Sequence, residues 1–181
     1  MNKDENTIEF LRHVRHDWLN KIQLIKGNLD LNKTERVKEI IEEIILESKQ
    51  EAKLSNLDVP LFATKILVSN WEHYHFQVEY EVVADHKCQN LNDAILAEWT
   101  SAFFQLLNNH VKLFAENHLF LSIDSKAEGI RLFIDFSGII EDTDPISEFL
   151  HQPFSHQMTI DHIVFSENEL VFDLWMESEK V

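Results

Sequence analysis

Glycine, cysteine and proline are scarce in this chain of 181 residues, which has three glycines, one cysteine and three prolines. The single cysteine, Cys88, excludes a disulfide within the chain and any metal site built from several cysteines. No run of about 18 uncharged apolar residues is present, so the sequence predicts no transmembrane helix. The opening residues, MNKDENTIEF, lack the basic and then apolar segments of a signal peptide, which predicts a cytoplasmic protein.

Basic residues are also scarce, with 16 Lys and Arg against 32 Asp and Glu. Residues 1–57 contain ten basic and eleven acidic residues, whereas residues 58–181 contain six basic and 21 acidic residues. The acidic second part disfavours nucleic acid and anionic membrane as partners, because both require clustered Lys and Arg. We therefore expect an acidic partner to dock on the first part.

What the sequence does have is a hydrophobic fraction of 44%, with 13 Phe and four Trp, which is enough to fill a core and predicts a folded protein. The first part shows heptad spacing, which predicts an amphipathic helix. The positions of this seam are Ile8, Leu11, Arg15, Trp18, Ile22, Ile25 and Leu29. Asn32 and Glu35 match a capping box that would start a second helix. Its apolar face would contain Val37, Ile40, Ile41, Ile44, Ile45, Ser48 and Ala52. Residues 1–58 are therefore predicted to form a helical hairpin.

A hairpin of two helices cannot enclose a core, because each helix buries one stripe and leaves the other side of the pair open. Pairing with the same hairpin of a second chain would complete a four-helix bundle, which predicts a homodimer. The alternative is that the hairpin packs on the second part of its own chain.

Pro60 marks the boundary to a second domain, residues 59–181. We predict helices over about 61–74 and 92–115, since apolar residues recur there at helical spacing. FQVEYEVV (76–83) alternates with a period of two, and two later pairs of segments read as strand hairpins. The turns of these hairpins are predicted at residues 126–129 and 167–168. This order indicates an α+β fold, in which an α/β sandwich carries helices on one face of a mixed or antiparallel sheet.

A histidine flanked by charges, His16, lies in the segment RHDWLNKIQLIKGN. With Ile8 at heptad position a, His16 falls at b, Asn20 at f and Gln23 again at b, so the three share one exposed face. An exposed imidazole offers a nitrogen lone pair, which a nucleophile towards phosphorus requires.

Three cations, Arg12, Arg15 and Lys21, lie within about a turn of His16 and could offset the charge of a transferring phosphoryl group. Asp17 would either hydrogen-bond the ring, fixing which nitrogen is free, or be a solvated helix charge. The alternative for His16 itself is a surface histidine without a role. The other histidines, such as His73 and His75, lack the partner pattern of a zinc site.

The segment RHDWLNKIQLIKGNL resembles the phospho-acceptor box of the sporulation initiation phosphotransferase B family, whose hairpin is similar to the dimerisation and phosphotransfer domain of sensor histidine kinases. SKQEAKLSNLDVP, WEHYHFQVEYEV and the chain length also resemble that family, so the resemblance covers most of the chain. It implies that His16 is phosphorylated, and that Arg15, Asp17, Asn20 and Lys21 surround the phosphate and the docked partner.

An ATP site can be sought by the same resemblance. Similar kinases carry an N-L-x-x-N-A segment that binds magnesium, but residues 105–110, QLLNNH, keep only Asn109 of its polar pattern. Those kinases also carry D-x-G-x-G, whereas IDFSGII offers Asp135 followed by Gly138 alone. Since only two glycines lie outside the hairpin, residues 59–181 are predicted to be a degenerate relative of the kinase ATPase domain.

The resemblance therefore implies a phosphorelay phosphotransferase with no stably bound cofactor. His16 would receive a phosphoryl group from an aspartyl-phosphate of one response regulator and pass it to an aspartate of a second. The implied partners are the receiver domains of a single-domain regulator and of the sporulation master transcription factor, with Mg²⁺ supplied by the regulator. Two alternatives stay open, an ATP-dependent sensor histidine kinase and a non-catalytic regulator-binding module.

Overall fold

The computed structural model describes residues 3–179 and divides the chain into two compact units, residues 1–49 and 50–181. In residues 3–179 no helix combines the length and the apolar composition needed to cross a bilayer. The helices are α1 (Lys3–Asp30), α2 (Thr34–Ser55), α3 (Pro60–Val68), α4 (Asp93–His110) and α5 (Asp144–His151), with a 3-10 turn at Ser69–Trp71. The strands are β1 (Gln77–Asp85), β2 (His118–Lys126), β3 (Gly129–Ser137), β4 (Met158–Phe165) and β5 (Glu169–Glu177).

The turn between α1 and α2 differs from the expected capping box. Asn32 has a φ of 55°, which places it in the left-handed region. Its N–H bonds the carbonyl of Leu29, and the N–H of Lys33 bonds the carbonyl of Asn28. These two bonds form a Schellman motif with Asn32 at the position that usually holds glycine. Asn32 therefore ends α1, and the prediction that it begins α2 was wrong.

The predicted seam of α1 lies on the outside of the single chain. Ile8, Leu11, Trp18, Ile22 and Leu29 are each about half exposed. On α2, Val37 and Ile40 are buried, whereas Ile41 and Ile45 are exposed. One chain thus carries an apolar stripe along both helices that its own hairpin does not bury.

The second unit contains one mixed sheet in the order β1-β2-β3-β5-β4. β1 pairs with β2 in parallel, and the other neighbours are antiparallel. The α+β fold with a mixed sheet is as predicted, including both strand hairpins. The period-two alternation of these strands buries every second residue, such as Leu119 to Ile123 on β2 and Ile130 to Phe136 on β3.

Helix α4 covers the buried face of this sheet with aromatic side chains. Trp99 and Phe103 stack on each other with ring centroids 5.3 Å apart, and both rings make T-shaped contacts with Phe172 on β5. Phe149 on α5 stacks on Phe103 at 6.5 Å. Because several large aromatic side chains are buried in this cluster, it contributes strongly to the folding free energy of the unit.

Side chains occupy the outer edge of β1. The amide of Asn70 donates to the carbonyl and accepts from the N–H of Val78. The N–H of Val82 donates to Oε1 of Gln50, and its carbonyl accepts from Nζ of Lys53. At the other edge, β4 is bulged between Asp161 and Val164, with the intervening His162 at a φ of 56°.

Two helices of the second unit depart from the expected bounds, and a third was not predicted. α3 ends at Val68, where the hydroxyl of Ser69 donates to the carbonyl of Ile66, and a 3-10 turn follows. α4 ends at His110 because Val111 is extended and forms an isolated bridge with Ile140. α5, with Pro145 in its first turn, was not predicted.

Candidate functional site

His16 lies in the middle of α1 with 73% of its side chain exposed. Uninterrupted helix on both sides fixes the direction of its side chain, away from the apolar stripe that contains Trp18 and Ile22. The imidazole is therefore accessible to a macromolecular partner.

One ring nitrogen of His16 is held by its neighbours. Nδ1 lies 3.2 Å from the amide nitrogen of Asn20 and 3.4 Å from Oδ1 of Asp17. The two contacts select different tautomers: Nδ2 of Asn20 donates to an unprotonated Nδ1, whereas a protonated Nδ1 donates to the Asp17 carboxylate. Both contacts are to Nδ1, so Nε2 is the nitrogen directed to solvent.

Arg12, Asn20 and Gln23 are exposed and belong to the same helix face as His16, at offsets of four and seven residues. Arg12, one turn before His16, is thus the cation whose position along the helix best suits a phosphoryl group on the ring. A guanidinium offers several N–H donors in a fork that matches phosphate oxygens.

Lys21 was expected near His16, but its ammonium is directed towards α2. Nζ of Lys21 donates to Oε2 of Glu47 and lies 6.0 Å from the centre of the Trp18 ring. Five residues separate Lys21 from His16, which places the two on different sides of α1. Arg15 is exposed beside the apolar stripe rather than on the His16 face.

Two residues near the site were not singled out from the sequence. Glu47 was not identified from the sequence, because its contact with α1 depends on how the hairpin turns. His13 lies three residues before His16 and is half-buried. Its offset of three residues would have signalled that the two imidazoles are neighbours on the helix surface.

The two remnants of a kinase-like ATP motif lie on opposite sides of the sheet. Ile134 and Phe136 are buried on the face covered by α4, so Asp135 between them points to the other face. Asn109 belongs to α4 itself and is exposed. It is the preceding Asn108 that accepts a backbone hydrogen bond, from the N–H of His75.

Close packing explains the glycines of the second unit. A Cβ on Gly138 would lie 2.3 Å from Oδ1 of Asn117, whose oxygen accepts the N–H of Ile139. A Cβ on Gly129 would lie 2.2 Å from the carbonyl oxygen of Met176. Both glycines are therefore required by local packing, and neither belongs to a phosphate-binding loop.

Among the residues that the structure describes, no group of three or more His, Cys, Asp or Glu side chains is arranged to hold a metal ion. The His16 face offers Asp17 as its nearest carboxylate. Divalent cations such as Mg²⁺ need several oxygen ligands, which this face does not supply on its own.

Two family models match the chain over nearly its whole length. Residues 1–57 match the Sensor_kinase_SpoOB-type, alpha-helical domain. Residues 58–177 match Sporulation initiation phospho-transferase B, C-terminal. Together these models account for both units.

A curated relative and two solved structures are also similar. Sporulation initiation phosphotransferase B of Bacillus subtilis (strain 168) is 42% identical over 137 residues, which covers 75% of this chain and 71% of that protein. A bacterial phosphotransferase solved at 1.7 Å is 12% identical with a TM-score of 0.45, covering 96% of this chain and 97% of the other. Histidine kinase ThkA, solved in complex with response regulator protein TrrA, is 16% identical with a TM-score of 0.36, covering 98% and 64%.

Proposed function

Because the chain belongs to the sporulation initiation phosphotransferase B family, we propose that it is the phosphotransferase of a sporulation phosphorelay in which His16 carries the phosphoryl group. The phosphoryl group comes from an aspartyl-phosphate of one response regulator and goes to an aspartate of a second. The observation that carries this proposal is the exposed His16 ring, whose Nδ1 is occupied by Asp17 and Asn20 while Nε2 is open.

The geometry suits attack by Nε2. In the tautomer with a proton on Nδ1, the Nε2 lone pair forms a bond to phosphorus as the bond from phosphorus to the aspartyl oxygen breaks, and the donor aspartate leaves as a carboxylate. The ring keeps its Nδ1 proton and becomes an imidazolium, which the Asp17 carboxylate stabilises. The second transfer reverses these steps onto the acceptor aspartate, so no net proton transfer is needed.

The charge distribution favours docking on the first unit. Residues 1–57 are close to neutral and place Arg12 beside His16, whereas residues 58–181 carry 21 acidic against six basic residues. A receiver domain presents an acidic pocket around its aspartate, so it is attracted less to the second unit than to the first. The Mg²⁺ that such a transfer requires is then held by the receiver domain.

ATP is not the phosphoryl donor in this proposal. Asp135 and Asn109 cannot converge on one nucleotide, because the sheet lies between them. The backbone after β3 also pairs directly with the end of α4, since the N–H of Lys112 donates to the carbonyl of Ile139 and the N–H of Glu141 to that of His110. These bonds leave little room for a mobile lid over phosphates.

The exposed apolar stripe supports a homodimer. Trp18 and Ile22 on α1 and Ile41 and Ile45 on α2 are between 42% and 54% exposed in the single chain. An uncovered stripe of this length is typical of a helix pair that completes a four-helix bundle with a second copy. His16 faces away from that stripe, so dimerisation leaves it accessible.

The test is a transfer assay with a receiver domain labelled by acetyl phosphate that carries ³²P. We expect an acid-labile, base-stable label on the full chain, its loss in His16→Ala, and its retention in His13→Ala, which removes the neighbouring imidazole three residues away. Addition of a second receiver domain should move the label onto that domain.

Three results would contradict the proposal. Incorporation of label from γ-³²P-ATP into the purified chain would establish a kinase. Regulator binding without any labelled histidine would indicate a non-catalytic binding module. Equal loss of label in His13→Ala and His16→Ala would remove the assignment of His16.

A further inference from the structure

The sheet of the second unit has one face that α4 does not cover, which we call the open face. Its alternate residues point away from the buried aromatic cluster. On the five strands it contains Glu79, Glu81, Val83, Phe120, Ser122, Asp124, Arg131, Phe133, Asp135, Thr159, Asp161, Val164, Val171, Asp173 and Trp175.

Three aromatic side chains form a diagonal line across the open face. Phe120 lies opposite Asp135, so Phe133, two residues before Asp135, is its diagonal neighbour. Phe133 lies opposite Asp173, so Trp175 continues the line on β5. Diagonal neighbours are about 7 Å apart, so the line spans three strands. All three rings are half-buried and retain surface for a partner.

Carboxylates surround this line. Phe120 lies in register with Glu79 on one side and with Asp135 on the other. Of the cations on the described strands, Lys126 lies 3.3 Å from Asp124, and Nη2 of Arg131 lies 2.7 Å from Asp173. Glu79 and Asp135 therefore flank an aromatic ring instead of a cation.

The open face thus presents carboxylates together with partly exposed aromatic rings. Asp161 lies directly opposite Asp173, so the open face carries a further carboxylate beside the one that Arg131 neutralises. Phe120, Phe133 and Trp175 are only partly buried, so each ring leaves apolar surface in contact with water. Carboxylates that flank an aromatic ring suit a cationic ligand, so the pattern points to a binding surface.

We propose that the open face binds an arginine-rich segment of a partner protein. A guanidinium over Phe120 meets the ring face and the carboxylates of Glu79 and Asp135 at once, which combines a cation–π contact with charge-assisted hydrogen bonds. The same charges exclude nucleic acid and a second copy of this face, because both are negative. This surface is distinct from the His16 face and does not depend on phosphoryl transfer.

The test uses a nona-arginine peptide titrated into the ¹⁵N-labelled full chain at moderate salt. We expect amide shifts at Phe120, Phe133 and Trp175, and about tenfold weaker binding in the double variant Glu79→Gln/Asp135→Asn, from the loss of two ion pairs. The matched control is Glu98→Gln/Glu148→Gln, which removes two exposed carboxylates from α4 and α5 and so changes the net charge by the same amount as the test variant.

The aromatic contribution is tested by Phe133→Thr, which we expect to weaken binding at unchanged net charge. Equal weakening in both double variants would overturn the proposal, because binding would then reflect net charge alone. Amide shifts confined to the helices would also overturn the proposal. So would unchanged binding by a Phe133→Thr variant whose native dispersion of amide shifts shows that it is folded. Transfer of phosphate through His16 should be unaffected in Glu79→Gln/Asp135→Asn, which separates this proposal from the proposed function.

Discussion

In the proposed transfer, the reactivity of His16 depends on which ring nitrogen carries the proton, and Asp17 is the neighbour that favours a proton on Nδ1. A carboxylate 3.4 Å from Nδ1 favours the tautomer in which Nε2 has the free lone pair, whereas the Asn20 amide nitrogen 3.2 Å from Nδ1 favours the other tautomer. Asp17→Asn should therefore slow acquisition of label from a phosphorylated receiver by about fivefold, the effect of an exposed charge-assisted contact of about 1 kcal/mol. Single-turnover transfer measures this rate.

Asp30→Asn, at the end of α1, is the matched control for the lost charge and should leave the transfer rate unchanged. A wild-type rate in Asp17→Asn would mean that the Asp17 carboxylate has no influence on the ring. An equal fall in both variants would point to net charge instead of the tautomer.

Cys88 gives a second prediction at this scale. Burial raises the pKa of its thiol to about 11, above the value of about 8.5 of an unfolded thiol. The thiol therefore contributes stability that is fully present below about pH 8.5 and is lost as the pH rises towards 11. Between pH 8 and 10 the free energy of unfolding should fall by roughly 1 to 2 kcal/mol more in the wild type than in Cys88→Ala, measured by urea denaturation. Parallel pH profiles would show that the thiol does not ionise as expected.

At the scale of elements, the left-handed residue between α1 and α2 controls how the hairpin turns. Asn32→Ala should lower the free energy of unfolding by about 1 kcal/mol, because a Cβ without a polar group is disfavoured at a φ of 55°. Asn32→Gly should equal or exceed the wild type. Thermal denaturation compares the two, with Lys26→Ala as an exposed helix control. An Asn32→Ala variant as stable as the glycine variant would argue against the Schellman motif.

Elements with long periodic patterns were predictable from the sequence, and short or contact-dependent ones were not. The β2–β3 hairpin was found because nine-residue strands alternate clearly on both sides of its turn. α5 was missed because eight residues give barely two turns of periodicity. Asn32 was misassigned because asparagine suits both a helix start and a left-handed helix end.

The candidate site shows the same division. His16, Asn20 and Gln23 share a face because that follows from helix geometry alone. The direction of the Lys21 side chain could not be predicted, because it depends on Glu47 of α2, a contact that no local pattern encodes. The open face was also hidden, since it emerges only when the order of the strands is known.

At the scale of the whole molecule, the proposed dimer predicts a sharp response to one charge. Ile22→Glu places a carboxylate in the middle of the exposed stripe, and its burial in a bundle without a partner is costly. Light scattering after size exclusion should show a dimer for the wild type and a mass near 21.4 kDa for Ile22→Glu.

Leu46→Glu is the matched control, because Leu46 is equally apolar and 60% exposed but lies on the other side of α2. It should remain dimeric. A monomeric wild type, or an Ile22→Glu variant that stays dimeric, would contradict the four-helix bundle and favour a hairpin that finds its apolar cover elsewhere.

The side chains along the outer edge of β1 limit pairing of this sheet with strands of other molecules at high protein concentration. Unpaired strand edges recruit strands from other molecules, which is how many β-proteins begin to form fibrils. Asn70, Gln50 and Lys53 already satisfy the outward amides and carbonyls of Val78 and Val82, and the bulge of β4 disrupts the opposite edge. A sixth strand therefore finds few free hydrogen-bonding groups at either edge, so polymerisation through the sheet is disfavoured even at high protein concentration.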